Sequence, residues 1–299
     1  MKATSLEILS ANNEVFVYKH LRGWKRSLVL TLDDGNARTR IDFPESKDWL
    51  NIKGALARGK GVMKVGVTGL KGIFKETENY VVTPPASRHV VISGSGRCGT
   101  QAVSKYLDGM QYEDGRYVDA RHETLHEFIL PMLVTGDIQG ITNMLNGMLH
   151  EIESAPFYAL RPETINAELI IHLIRDGRRV VQSGMNRGWY DDDGIWNRIK
   201  PVFSKDRFEN CCHLWRVTTD NMEQYAQRTF RLEDLTESKD ERLRLIQCIG
   251  LKPSDRTLPH ANQGKASSEF SAWSDRQRAQ FDEICGPMMD RYYPGWRQS

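Results

Sequence analysis

Near the N-terminus the apolar positions fall in short alternating runs. Glu14 to Leu21 (EVFVYKHL) and Ser27 to Leu32 (SLVLTL) read as strands, and Asp33-Asp34-Gly35-Asn36 supplies a turn into Ala37 to Phe43. The first 45 residues thus predict a small antiparallel meander. Asp48 to Ala57 (DWLNIKGALA) has helical spacing, with Ser46 or Asp48 as its cap. Thr83-Pro84-Pro85-Ala86-Ser87 is a linker signal. It separates a β-rich N-terminal region, 1–85, from the remainder, 86–299.

After the linker, strands and helices alternate. His89 to Ile92 is a short buried strand and Thr100 to Leu107 a helix; Tyr117 to Ala120 reads as a further short strand. Glu123 to Val134 and Ile138 to Ile152 are helical stretches, and Leu169 to Ile174 (LIIHLI) is a second buried strand running into a helix from Arg178 to Asn186. Phe208 to Ala226 predicts a helix, Thr229 to Leu232 a strand, and Asp240 to Ile249 a helix. A last helix runs from Ser274 to Arg291 and is closed by Tyr293-Pro294-Gly295. Such alternation predicts an α/β domain with a central parallel sheet.

Charge changes little globally. Across 299 residues, 41 Lys+Arg face 39 Asp+Glu for a net charge of +2, so nothing points to nucleic acid as a partner and any basic site must be local. One candidate is Lys53 to Lys75, with six basic residues, six glycines and no acid: either an anion-binding surface or solvated Gly-rich loops between strands. The longest apolar run, Phe128 to Val134, contains Pro131 and falls far short of the roughly 20 residues a membrane span needs. The N-terminus carries no signal-peptide pattern, and five cysteines without zinc or disulfide spacing suit a reducing, cytoplasmic compartment.

The most informative stretch is Ser93-Gly94-Ser95-Gly96-Arg97-Cys98-Gly99-Thr100-Gln101, between the first buried strand and its helix. Glycines at 94, 96 and 99 let the backbone turn tightly and aim N–H groups at an anion, and the helix N-terminus adds partial positive charge. The spacing is close to that of a nucleotide-binding Gly-rich loop, but the Lys before Thr100 is missing and the cation is Arg97, inside the loop. That weighs against ordinary ATP or GTP hydrolysis.

The second stretch, Leu169-Ile-Ile-His-Leu-Ile-Arg175-Asp176-Gly177 through Ser183, again runs from buried strand to helix. Arg175 sits at the C-terminal end of the strand, where ligands of open α/β sheets bind. Ser183 follows eight residues later, a little over two helical turns on, so one anion can touch both. The alternative is an Arg that caps a carbonyl and a Ser on an exposed helix face. His172, on the same strand, reads as a satisfied core histidine.

Together these residues resemble the sulfotransferases that use 3′-phosphoadenosine 5′-phosphosulfate (PAPS). The loop SGSGRCGT looks like their 5′-phosphosulfate loop. Strand-RDGRRVVQS looks like their 3′-phosphate motif, with Gly177 in place of the common Pro. Arg231-Leu-Glu-Asp-Leu235 resembles the family's R-Y-E-D-L segment, Asn262 to Phe281 with Lys265 and Trp273 its Asn/Lys loop and following helix, and MMDRYYPGW its usual ending. The likeness spans residues 88 to 297, and residues 1 to 85 have no counterpart.

The resemblance implies a three-layer, P-loop-like fold that takes PAPS, releases PAP and requires no metal. It implies that Ser95, Gly96, Arg97, Cys98, Gly99, Thr100 and Gln101 cradle the phosphosulfate, that Arg175 and Ser183 hold the 3′-phosphate, and that Lys265 adds a contact. Arg97 stands where soluble members often have Lys and where bacterial and Golgi-type members often have Arg. The resemblance also points to Arg121-His122-Glu123 as the place of the family's His-Glu pair, with Glu123 the first candidate base and His122 the second. A helix cap at Glu123 is the competing reading. Trp189, Tyr190 and Asp191 to Asp193 either line an acceptor site or form a solvated acidic loop. The acceptor implied is a hydroxyl or amine on a small molecule or glycan. The alternatives are a P-loop nucleotide kinase or NTPase, and a nucleotide-binding module without turnover.

Overall fold

The computed structural model describes residues 90–124, 126–146, 150–259 and 272–298, and the backbone of seven N-terminal strands. The chain divides into two compact units. Met1–Ala86 with Asn143–Leu149 form one, and Ser87–Thr142 with His150–Ser299 form the other.

Within Met1–Ala86 the described elements are all strands. Strands β1 (Leu6–Ala11), β2 (Glu14–Lys19), β3 (Leu28–Asp33), β4 (Arg38–Phe43), β5 (Trp49–Lys53), β6 (Val62–Thr68) and β7 (Lys75–Val81) form one three-stranded sheet, β1-β2-β5, and two hairpins, β3-β4 and β6-β7. This corrects two expectations. Within the stretch 48–57 predicted as helix, Trp49–Lys53 is the strand β5, antiparallel to β2 with Asn51 opposite Phe16, and the rest of that stretch lies outside the described residues. In Trp-Leu-Asn-Ile-Lys, Leu50 and Ile52 alternate with polar residues, and Gly54 follows directly, which favours pairing over helix. The predicted meander is also broken, because β2 takes β5 as its second neighbour and β3 pairs with β4. The glycine-rich connections of the basic 53–75 stretch lie outside the described residues.

The second unit carries a sheet of five parallel strands in the order β12-β11-β8-β10-β9. In chain order its elements are β8 (Val90–Ser93), α1 (Thr100–Leu107), β9 (Ala120–His122), α2 (His126–Thr135), α3 (Ile138–Asn146), β10 (Ile152–Ser154), β11 (Leu169–Ile174) and α4 (Gly177–Asn186). There follow α5 (Ile195–Arg198), α6 (Arg207–Tyr225), β12 (Arg228–Arg231), α7 (Leu232–Glu237), α8 (Lys239–Ile249) and α9 (Asp275–Tyr292). The two central strands, β8 (VVIS) and β11 (LIIHLI), are mostly apolar because both faces are covered. Leu173 packs into a cluster with Val103, Leu107, Phe230 and Ile246, whereas the next residue, Ile174, packs with Val181, Trp215, Phe281 and Met289. Alternation along the strand thus builds a helix layer on each face of the sheet. The expected three-layer α/β domain is observed.

The central strand β8 sets the location of the site. From it the chain runs to β9 and β10 on one side and then crosses to β11 and β12 on the other. The crevice at such a switch point opens at the C-terminal ends of the strands. Register brings His122, Ser154, Ile92 and Ile171 into one row across that edge. The loop after β8, the turn after β9 and Arg175 after β11 therefore leave the sheet close together.

Local boundaries differ where strands are short. The stretch predicted as helix over 138–152 ends at Asn146, and Ile152–Ser154 is the strand β10. The helix predicted from Glu123 starts at His126. The strand predicted over 117–120 lies at 120–122, while Val118 hydrogen-bonds Met110 in a local loop. Among the described residues no helix is long and apolar enough to cross a membrane, and all five cysteines are free thiols.

Candidate active site

Three turns build the site. The first is the Gly94–Thr100 loop. A side chain at Gly94 would put Cβ 2.0 Å from the Leu173 carbonyl oxygen, so close approach to β11 demands glycine. At Gly96 a Cβ would come within 2.8 Å of the Trp189 indole, which lies against the loop. Arg97 adopts a left-handed backbone (φ 70°), as does Gly99 (φ 97°), the cap residue of α1. A non-glycine residue is uncommon in the left-handed region and persists there only where its surroundings over-determine it.

Within this loop the predicted residues play unequal parts. Ser95 and Thr100 are buried, and the Thr100 carbonyl accepts a hydrogen bond from Ser154 Oγ (3.0 Å). Gln101 is half-buried in the first turn of α1. Cys98 points into the core, and burial pushes its thiol up to about 12; its N–H donates to the Ser95 carbonyl. Its side chain is packing, not ligand chemistry.

The second turn follows β11 and meets the first directly. Arg97 Nε donates to Ser183 Oγ at 3.0 Å, and Arg175 Nη1 donates to the Arg97 carbonyl at 3.0 Å. Asp176 caps α4, accepting from the Arg178 N–H and pairing with the Arg178 guanidinium at 2.7 Å. The Asp176 N–H donates to Glu233, whose other oxygen accepts from the Tyr293 hydroxyl. The Arg231–Leu235 and Tyr292–Trp296 segments thus brace the turn that carries Arg175.

A third cation stands outside both sequence motifs. Arg187, four residues beyond Ser183 and exposed, lies one helical turn on, a spacing that could have revealed it. Burial lowers the Arg97 guanidinium below its ordinary value, and the charges of Arg187 and then Arg175 lower it further; Glu123 acts in the opposite direction. Three converging guanidiniums repel one another, and a bound polyanion would relieve that repulsion. This donor set suits a ligand that carries more than one anionic group. Lys265 lies outside the described residues.

The third turn follows β9. His122 Nδ1 donates to the Ser154 carbonyl at 2.7 Å; since that oxygen only accepts, Nδ1 carries the hydrogen and Nε2 faces Glu123 Oε1 at 3.4 Å. Glu123 has φ 54°, its N–H donates to the same Ser154 carbonyl, and its own carbonyl accepts from His126 N and Nδ1. Burial raises the Glu123 carboxyl above the usual carboxylate range; the charge of Glu153 also raises it, against the pull of His122, His126 and Arg97. A half-buried carboxyl beside an imidazole, within electrostatic reach of the Arg97 loop, is suited to proton transfer.

The loop after α4 resolves differently from a free acidic loop. Asp191 pairs with Arg207 at 2.9 Å, and Asp192 accepts from Gly194 N–H and Asn197 Nδ2. These carboxylates fold the loop on itself. Tyr190 is left-handed (φ 66°) and donates to the Pro201 carbonyl. Buried Lys200 sits 5.4 Å over the Trp189 ring, and burial lowers its ammonium to about 8. Trp196, half-exposed, stacks on His126 at 6.2 Å.

No protein-family model matches this chain, and no curated protein matches it in sequence. Among solved structures, the sulfotransferase domain from the curacin biosynthetic pathway aligns with a TM-score of 0.37 and 16% identity, over 61% of this chain and 81% of that domain.

Proposed function

We propose that this protein is a sulfotransferase that takes PAPS as donor and a hydroxyl or amine, on a small molecule or glycan, as acceptor. The observation that carries the reading is the meeting of the two strand-to-helix turns, with Arg97 Nε on Ser183 Oγ and Arg175 on the Arg97 carbonyl. Two motifs 78 residues apart thereby present their cations to one place, as a ligand with two separate anionic groups requires. No lysine precedes Thr100, which disfavours the kinase or NTPase reading.

PAPS would supply a sulfuryl group on a phosphate leaving group. Gly96, Arg97, Gly99 and Thr100 would hold the phosphosulfate, and Arg175 and Ser183, with Arg187 beside them, the 3′-phosphate. Arg97 and the loop N–H groups would stabilise charge on the departing oxygen; one such donor is typically worth about 3 kcal/mol. Glu123 would take the acceptor proton, and His122 Nε2 beside it would share that proton. Trp189, laid over Gly96, would restrict water at the loop.

Thermal shift with PAP and with ATP–Mg tests the reading. PAP is expected to raise the Tm in a concentration-dependent way and ATP–Mg to leave it unchanged. Stabilisation by ATP–Mg with no response to PAP would sink the assignment.

A further inference from the structure

Beneath the Glu123 turn lies a buried His–Glu pair outside the candidate anion site. Glu153, at the centre of β10, is fully buried, and His150 Nε2 lies 2.6 Å from its Oε2. The same carboxylate accepts from Thr124 N–H (3.3 Å, Oε1) and from Thr124 Oγ1 (3.1 Å, Oε2). Burying an ionisable pair is costly, and an apolar pair of similar volume often serves stability as well. What the pair holds is therefore informative. It holds Thr124, the residue after the left-handed Glu123.

The next residue of the strand completes the bracket. Ser154 offers its carbonyl to His122 Nδ1 and to the Glu123 N–H, while its hydroxyl donates to the Thr100 carbonyl at the start of α1. Glu153 and Ser154 thus tie the turn bearing the candidate base to the loop bearing Arg97. A non-glycine residue with φ 54° persists only where its neighbours over-determine it. Here the neighbours are Ser154 on the N–H side, His126 on the carbonyl, and Glu153 through Thr124.

We propose that Glu153, held by His150, is a positioning residue for Glu123, gripping Thr124 so that the left-handed turn keeps the base on the Arg97 side of the site. The inference rests on Glu123 being the base. Four charged or titratable groups face Glu123: His122 from β9, His126 from α2, Glu153 from β10 and Arg97 from its loop. Of these only Glu153 is a second negative charge, so it also disfavours the ionised form of Glu123.

The test uses the full chain and two readouts. The Glu123 side-chain carboxyl is followed by carbon-13 NMR as pH is varied, with and without PAP, and PAPS consumption is measured across an acceptor panel and water. In Glu153→Gln the Glu123 titration is expected to move to lower pH, with the acid limb of kcat/KM moving alike. In Glu153→Ala kcat is expected to fall about 100-fold with the PAP Kd within about twofold, since displacement of a base by about an ångström has such an effect. Should Glu153→Ala fail to fold, Thr124→Val removes a single hydroxyl, and a fall in kcat of about tenfold is expected from a weakened grip. An unshifted Glu123 titration in Glu153→Gln overturns the proposal, as does wild-type kcat in Glu153→Ala or, failing that, in Thr124→Val. Loss of PAP affinity in step with kcat also overturns it, because the role would then be general to the fold. If wild type binds no PAP, the sulfotransferase reading fails, and the titration in ligand-free protein still decides the role of Glu153.

Discussion

Arg97 Nε lies 3.0 Å from Ser183 Oγ, so the cation of the loop after β8 rests on the hydroxyl of the helix after β11. Arg175 reinforces the join from below, through the Arg97 carbonyl. The two strand-to-helix turns are therefore one mechanical unit, and mutations in either will be felt in both.

Substitution at these positions should separate binding from turnover only partly. Ser183→Ala is expected to weaken PAP binding by about 1–2 kcal/mol, the scale of a hydrogen bond to a charged group. Arg175→Ala should weaken it more and also depress turnover, because the Arg97 backbone loses its support. Arg97→Ala should lower kcat more than PAP affinity. Calorimetric PAP titration beside steady-state kinetics checks all three, and undiminished PAP affinity in Arg175→Ala would overturn the assignment of the 3′-phosphate.

The raised carboxyl of Glu123 gives the pH profile a definite sign. In the proposed reaction its deprotonated form is the base, so rate should climb as pH rises through its folded-state value. Burial places that limb above the ordinary 4.5. Glu123→Gln should abolish the limb and cost about 100-fold or more in kcat while leaving the PAP Kd unchanged. A pH–rate profile with the same acid limb in the variant would assign that limb to another group.

His172 should make the fold acid-sensitive. It is wholly buried on β11, and among the described residues neither ring nitrogen has a hydrogen-bond partner, contrary to the expectation of a satisfied core histidine. Burial lowers it from 6.5 to about 4, with Glu223 pulling the other way. Between those values the unfolded chain binds a proton that the folded chain refuses, so stability is full above pH 6.5 and falls as pH drops towards 4, by up to about 3 kcal/mol. In urea unfolding at several pH values, His172→Leu should flatten this slope. An unchanged slope would assign the acid sensitivity to other groups.

Gly177, which stands where the resembling family usually has Pro, is explained by Trp215. A Cβ at 177 would meet the indole at 3.0 Å, and Trp215 Nε1 donates to the Arg175 carbonyl at 3.1 Å. Gly177→Ala should therefore destabilise by about 1–3 kcal/mol through overpacking, measured by chemical denaturation. Because the displaced ring also holds Arg175, PAP affinity should fall as well. Wild-type stability in this variant would show that the indole can yield.

Much of the second unit was legible from residues 90 to 186 alone. Leu169 to Ile174 reads as a buried strand because six consecutive residues without turn formers suit a strand covered on both faces. The Gly94–Thr100 loop reads as an anion cradle because glycine spacing, an internal Arg and a helix start are all local features. The strand β10 was not legible. Three residues show no period, and Ile152–Ser154 becomes a strand only by pairing with β8 and β9, segments roughly 60 and 30 residues away in sequence. With β10 hidden, Glu153, His150 and the bracket on Thr124 were hidden too. The same holds for β5, which is a strand because β2 offers it an edge. Residue types and spacing by themselves determined which groups can bind an anion or move a proton. Tertiary hydrogen bonding alone decided which of them meet, because Arg97 and Ser183, or Glu123 and Ser154, become neighbours only when parallel strands bring their C-terminal ends into register.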